Sequence, residues 1–181
     1  MPEYAYMPAL ISTMEIPTFA CVCGVPVTDN TPASLWIKRS YAFLWAYGPL
    51  SPAPDLPLAE ARAFSIDDAT TTEVDDAFSV RVLPNGHYEV GIHIALPALG
   101  IARGSPLDAL ARARLSTVYM PGRKLTMLPD EVVDAFTLAE GRSPPALSLY
   151  AEVAHDGALL RHETRANRVP IAANLHLDAL G

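Results

Sequence analysis

Between Ile66 and Ala77 the chain reads Ile-Asp-Asp-Ala-Thr-Thr-Thr-Glu-Val-Asp-Asp-Ala, which gathers the carboxylates of Asp67, Asp68, Glu73, Asp75 and Asp76 between apolar residues. Carboxylates held close together repel one another and are costly to desolvate, so such a cluster calls for a cation. A hard divalent ion suits it: Mg²⁺ takes oxygen ligands and keeps positions for water and substrate phosphates, and Mn²⁺ accepts the same donors. The chemistry indicated is phosphoryl or phosphodiester transfer at a metal. If Glu73 to Ala77 enters a strand, Glu73 and Asp75 share one face and Asp76 takes the other. Asp67 must then be folded back by the threonine loop, whose hydroxyls can bond nearby backbone. An EF-hand fits poorly, because the central glycine and the bidentate Glu spacing are missing. On residue type alone, a solvated acidic loop competes with the metal reading.

The elements that must hold this cluster are legible around it. Ala77 to Leu83 alternates, with Phe78, Val80 and Val82 on one face. Asn85-Gly86 predicts a type I′ hairpin turn. His87 to Ala95 returns as a second strand, with Tyr88, Val90, Ile92 and Ile94 on one face and Glu89, Gly91 and His93 on the other. His93, on the polar side, reads as an ordinary hydrogen-bonded histidine. Ser105-Pro106-Leu107-Asp108 is a helix start, with Ser as N-cap, Pro in the first helical position and an acid in the first turn. That helix is expected to reach about Ser116, with Leu107, Leu110, Ala111 and Leu115 as its apolar stripe and Arg112 and Arg114 outside it. A short helix follows Pro129-Asp130 toward Phe136. Ala146 to Val153 and Leu159 to Val169 read as two more strands joined at Asp156-Gly157. The fold class expected is α+β: a mixed or antiparallel sheet with flanking helices on one side.

The chain has 181 residues, enough for one domain and a small appendage, and half are hydrophobic, so it can bury a core. Its net charge of −7 argues against a basic coat for duplex DNA. The acidity is local: Asp55 to Asp76 holds seven acids and a single base, Arg62. Cys21 and Cys23 make no disulfide framework, which points to a reducing, cytoplasmic compartment. No base precedes Lys38, so neither a signal nor a transit peptide is expected. Ile16 to Val27 is too short and too rich in proline to span a membrane. Residues 1–34 read as a lead-in and Leu35 to Tyr47 as a short helix. Pro49, Pro52, Pro54 and Pro57 then break the chain. The expected division is residues 1–57, lead-in and Pro-rich linker, and residues 58–181, the domain that carries the cluster.

From about Leu58 to Asp178 the chain resembles the N-terminal part of the catalytic domain of the ribonuclease II/R exoribonucleases. The matching blocks follow in that family's order and spacing: Ile66-Asp67; Thr72 to Ala77; Gly91 to Ala95; Gly104 to Asp108; Ser116 to Pro121; and Met127 to Pro129. The resemblance implies a partial RNB-type catalytic domain. It also implies Mg²⁺-dependent 3′→5′ hydrolysis of single-stranded RNA to nucleoside monophosphates. Carried over by residue, Asp67, Asp75 and Asp76 are the aspartates of the metal-holding cluster, and Glu73 stands where the family usually has Asp. Asp67 and Asp76 are expected as direct ligands, with Asp75 positioning the nucleophile or a second metal. Tyr119 matches a tyrosine near the 3′-terminal nucleotides, where stacking suits a sequence-tolerant degrader.

The chain departs from the family at Asp68, an added acid, at Leu96, and in stopping at Gly181 before the family's catalytic domain ends. Two other readings therefore stand. One is a truncated non-catalytic RNA- or metal-binding remnant, or a fragment needing a complementary chain. The other is a metallophosphodiesterase for small nucleotides. Truncation also predicts self-association through exposed strand edges.

Overall fold

The computed structural model describes residues 46–121 and 123–179. Chain contacts divide the protein into residues 1–49 and residues 50–181, and every strand described lies in the second unit. The Cys21-x-Cys23 pair lies outside the described residues. So does the helix expected at Leu35 to Tyr47, apart from Ala46 and Tyr47, which are helical.

Eight strands and two α-helices are described. They are β1 (Ala63–Asp67), β2 (Asp76–Val82), β3 (Tyr88–Ala95), α1 (Pro106–Arg114), β4 (Val118–Met120), β5 (Arg123–Leu125), α2 (Asp130–Phe136), β6 (Pro145–Val153), β7 (Leu159–Arg168) and β8 (Ile171–His176). Six strands form one sheet in the order β7-β6-β3-β2-β1-β8, and β4 pairs with β5 as a separate ribbon. The sheet is mixed: β1 and β8 run parallel and the other neighbours antiparallel. The class is α+β and mostly sheet. The strand expected at Leu159 to Val169 is followed, after Pro170, by β8 on the opposite edge. Proline cannot donate to a ladder, so the pairing stops there.

Helix α1 starts as its sequence dictates, with the Ser105 hydroxyl accepting from the Asp108 N–H at 3.2 Å. Leu107 and Ala111 are buried, but Leu115 is not part of the stripe. It is the C-cap, with φ +67° and 78% of its surface exposed. The helix ends at Arg114, one residue before the turn that would have carried Leu115 inward.

The β2–β3 connection is not the type I′ turn expected at Asn85-Gly86. Leu115 is the sole non-glycine with positive φ among the described residues, so Asn85 is not left-handed. Gly86 donates to the Leu83 carbonyl at 2.9 Å, and Leu83 donates to the His87 carbonyl at 2.8 Å. This is a turn over Leu83–Gly86 with Gly86 as a left-handed bulge, φ +85°. Pro84 explains the difference, because its ring fixes a negative φ at the first central position and moves the turn one residue upstream. The β6–β7 turn has the same plan, with Gly157 donating to Ala154 and Ala154 to Ala158, both at 2.9 Å.

Cross-strand register places Phe78 beside Ile92, Val80 beside Val90 and Val82 beside Tyr88, and Ile92 and Ile94 beside Leu149 and Leu147. These apolar residues do share one face, but it is the open one: Val82 is 68% exposed, Val80 58% and Ile94 46%. The buried face carries small and polar residues. At the end near the acidic run, Ala63, Ala77 and Ala146 pack with Val74, Leu138, Val169 and Ile171. Farther along, Ser79, His93, Ser148, Asn167 and Tyr150 are all buried.

That polar row is saturated. Ser148 donates its only hydroxyl proton to Asn167 Oδ1 at 2.8 Å, so His93 Nδ1 must donate to Ser148 Oγ, also at 2.8 Å. His93 Nε2 then accepts from the Ser79 hydroxyl at 2.9 Å. Asn167 Nδ2 donates to the Tyr150 hydroxyl at 2.7 Å, and the Arg165 guanidinium lies 4.7 Å from the Tyr150 ring centre. A buried histidine in this network is neutral and in one tautomer.

Candidate functional site

The acidic residues meet at one end of the sheet. Asp67 is the last residue of β1, opposite His176 of β8, and Asp76 is the first of β2, opposite Ile94 of β3. Strand alternation puts Asp67 on the buried face with Ala63 and Ser65, and Asp76 on the open face with Phe78. Glu73 to Asp75 precede β2 and are anchored on both sides. The Val74 N–H donates to Thr137 Oγ1 at 3.0 Å, and the Val74 carbonyl accepts from Leu138 at 2.9 Å. The Asp75 carbonyl accepts from Ala95 at 2.8 Å. Val74 is drawn into the core, and Asp75 lies at the surface with its carboxyl partly desolvated.

In the threonine loop the Thr70 hydroxyl bonds the Asp68 carboxylate rather than the backbone expected of it. Asp68 Oδ1 accepts from the Thr70 N–H at 2.9 Å and the Thr70 hydroxyl at 2.7 Å, and the Thr71 N–H bonds the Asp68 carbonyl at 2.9 Å. The Thr70 bonds hold the Asp68 carboxyl below the usual range. The added acid thus shapes the turn that separates Asp67 from Glu73.

The other carboxylates are electrostatically loaded. Burial pushes the Asp75 carboxyl up, and the charges of Glu73, Asp76 and Asp67 push the same way against an opposing pull from Lys124. Asp67 Oδ2 is buried and has no hydrogen-bond partner among the described residues. Both features are ones that a bound cation would relieve.

The β4–β5 ribbon brings two more groups to this end. Tyr119 and Lys124 are directly opposed, so they share a face of the ribbon. Tyr119 is 75% exposed, and the Lys124 ammonium lies 3.4 Å from Glu73 Oε2. That Lys124 and His176 neighbour the acidic cluster could not be read from the sequence. Strands of three residues are too short for periodicity to reveal. Pro121-Gly122, between Tyr119 and Lys124, is the one signal in the sequence that could have marked a turn there. The structure therefore brings Asp67, Glu73, Asp75 and Asp76 to one region, with Tyr119 linked to it through Lys124.

The donor set is all oxygen, and the unpartnered Asp67 oxygen fits a hard divalent ion. Among the described residues, no three His, Cys, Asp or Glu side chains are grouped closely enough to hold a metal as they stand.

The family model described as the RNB domain matches residues 56–179. The chain belongs to the RNB-domain exoribonuclease family. This RNB segment is 39% identical over 127 residues to Exoribonuclease 2 of Aeromonas hydrophila subsp. hydrophila, covering 69% of this chain and 19% of that protein. It is 46% identical over 66 residues to a DIS3-like exonuclease 2 of Xenopus tropicalis, covering 36% of this chain and 8% of that protein. Among solved structures, RNase R of Mycoplasma genitalium bound to ribose-methylated single-stranded RNA aligns with a TM-score of 0.64 at 19% identity, covering 69% of this chain and 20% of that one. Yeast Ssd1, a pseudonuclease, aligns at 0.65 and 24% identity, covering 72% and 18%. At these identities the solved structures establish the RNB fold. The RNB segment spans about a fifth of the length of such relatives. No helix among the described residues is long and apolar enough to cross a membrane.

Proposed function

We propose that this RNB segment carries the metal-holding part of a Mg²⁺-dependent 3′→5′ exoribonuclease site acting on single-stranded RNA in the cytoplasm, with release of nucleoside monophosphates. The supporting observation is the buried, unpartnered oxygen of Asp67 beside the mutually repelling Asp75, Asp76 and Glu73 at one end of an RNB fold. Asp67 and Asp76 are the residues to hold Mg²⁺ (or Mn²⁺) directly, with Glu73 and Asp75 completing the carboxylate set. When bound, the ion would activate water and offset charge building on the phosphate. Asp75, whose carboxyl is already pushed up, is suited to orient the attacking water and take its proton. Tyr119, exposed on the ribbon, offers a ring on which a 3′-terminal base can stack.

The test is single-turnover cleavage of 5′-labelled single-stranded RNA by the purified chain, with Mg²⁺ and with EDTA, beside Asp75→Asn. A ladder shortening from the 3′ end, lost with EDTA and slowed about a thousandfold or more in the variant, is the expected result. RNA left intact by the wild type favours a second reading, a non-catalytic remnant or a fragment completed by another chain. The share of its relatives that the segment spans, 19% of Exoribonuclease 2, is the observation behind that reading.

Metal binding is separable from turnover. Mg²⁺ at about a hundred times its dissociation constant is expected to stabilise the chain by about 2.7 kcal/mol. Asp76→Asn should lose that rise in Tm, and Tyr119→Ala should keep it. Equal rises in wild type and Asp76→Asn would remove Asp76 from the ligand set.

We also infer that the isolated chain self-associates, through the open face of the sheet more than through its edges. Edge strand β7 carries Arg161, His162, Glu163, Arg165 and Arg168, charges that discourage further pairing. The open face instead presents Val80, Val82, Ile92, Ile94 and Leu147 to solvent. Val82→Lys with Ile94→Lys should shift sedimentation toward monomer, whereas a wild type that sediments as monomer at micromolar concentration would rule the association out.

A further inference from the structure

We propose that Asn174 of β8 is a positioning residue for RNA cleavage, setting the separation between the two halves of the acidic site: Asp67 at the end of β1 and Glu73 to Asp76 at the start of β2. This rests on the reading of those carboxylates as a catalytic site and adds a residue, outside the acidic run, that holds the halves in register. The halves belong to different parts of the sheet. β1 follows β8 along its length, from Ala63 beside Ile171 to Asp67 beside His176. Asp76 pairs instead with Ile94 of β3, and the Asp75 carbonyl accepts from Ala95. The ladder between β1 and β2 holds one position, Phe64 beside Phe78, and does not extend to Ile66 and Asp76. Strand pairing thus leaves the distance between the halves unset.

Asn174 spans that gap. Its Nδ2 donates to Ser65 Oγ of β1 at 3.0 Å and to the Leu138 carbonyl at 2.9 Å, and its Oδ1 accepts from the Glu140 N–H at 2.7 Å. Its backbone N–H donates to the Glu140 carboxylate at 3.3 Å. Ser65 and Leu138 are fully buried, so these bonds are made away from water. On the far side, Leu138 donates to the Val74 carbonyl and the Thr137 hydroxyl accepts from the Val74 N–H. The route Ser65–Asn174–Leu138–Val74 therefore begins two residues before Asp67, on the same face of β1, and ends between Glu73 and Asp75. Ala63, Val74 and Leu138 also pack across the gap, but apolar contact has no direction. The primary amide supplies direction, with two donors and one acceptor in a plane. An aspartate of the same shape would turn an oxygen toward the Ser65 and Leu138 acceptors.

Two measurements on the full chain test this in wild type, Asn174→Ala, Asn174→Asp and Tyr150→Phe. One is amide hydrogen exchange, and the other is single-turnover cleavage of 5′-labelled single-stranded RNA at saturating Mg²⁺. Tyr150→Phe removes the acceptor of the Asn167 amide in the separate polar row and controls for general destabilisation. In both Asn174 variants the Val74 and Leu138 amides should exchange faster relative to those of β3 and β6, as local opening requires. The maximal cleavage rate should fall about tenfold, with the protein concentration for half-maximal rate unchanged. Tyr150→Phe should alter neither the exchange ratio nor the rate. Unchanged exchange at Val74 and Leu138 would overturn the proposal, as would a wild-type rate despite faster exchange there. An equal loss of rate in Tyr150→Phe would reduce Asn174 to a structural role and overturn it as well. RNA left intact by the wild type would overturn the catalytic reading, and with it any positioning role in cleavage, an outcome seen without any variant. If neither Asn174 variant folds, Ser65→Ala, which removes only the β1 end of the route, decides by the same two readouts.

Discussion

Gly91→Ala is expected to destabilise this protein by about 3–5 kcal/mol, from overpacking and from broken buried hydrogen bonds together. Gly91 lies in β3, directly between Ser79 of β2 and Tyr150 of β6. Its missing side chain makes room for the imidazole two residues along the same strand. A Cβ built on Gly91 would sit 2.7 Å from His93 Nε2 and would collide with Ser79 Oγ. The ring cannot simply swing away, because Ser79 and Ser148 hold its two nitrogens at 2.9 and 2.8 Å and Tyr150 packs edge-on against it with centroids 5.6 Å apart. Moving it leaves a fully buried histidine and the buried Ser79 hydroxyl without these partners, and costs Ser148 one of its two bonds. Against the 5–15 kcal/mol or so of a typical domain, the loss is a large fraction. The midpoint of urea unfolding measures it. Adding Ser79→Ala should recover part of the loss by removing the nearest obstructing atom. A Gly91→Ala protein within about 0.5 kcal/mol of wild type would contradict the packing described.

The second large effect is on pH. Burial lowers the His93 pKa from 6.5 to about 4, so the folded protein takes up fewer protons than the unfolded chain between those values. Stability from this group is fully present above the unfolded value and is lost as the pH falls toward about 4. The shift corresponds to about 3 kcal/mol. Glu152, Asp68 and Asp108 are also held below their ordinary values, but their contributions vanish only at or below the carboxylate range. The raised Asp75 has the opposite sign and also acts near the carboxylate range. The interval from pH 6.5 to 5 therefore reports mainly on His93. Unfolding free energy should slope downward across it in wild type and lose most of that slope in His93→Gln, whatever that variant's absolute stability. Parallel curves for the two proteins would assign the acid sensitivity elsewhere.

Much of the molecule follows from local rules. The five-carboxylate run, the N-cap at Ser105, the alternation of β2 and β3 and the strand β6 are set by residues near one another in the chain, and they stand where the residues imply. The ordered blocks that identify the RNB family are linear too. The features that depend on distant partners were not available to such rules. Alternation assigned Phe78, Val80, Ile92 and Ile94 to one face and Gly91 and His93 to the other, but which face is buried depends on what packs there. Hydropathy alone favours burying the valines and isoleucines. The fold instead buries the alanines of the core and the hydrogen-bonded row centred on His93, whose polar groups are satisfied only once β2, β3, β6 and β7 stand side by side. The pairing of β1 with β8, whose residues lie more than a hundred positions apart, is likewise long-range. Carboxylate types and their spacing thus determined what chemistry this end of the sheet can support. The tertiary structure alone set Lys124 against Glu73 and left Asp67 uncompensated, because those contacts join segments that no local pattern connects.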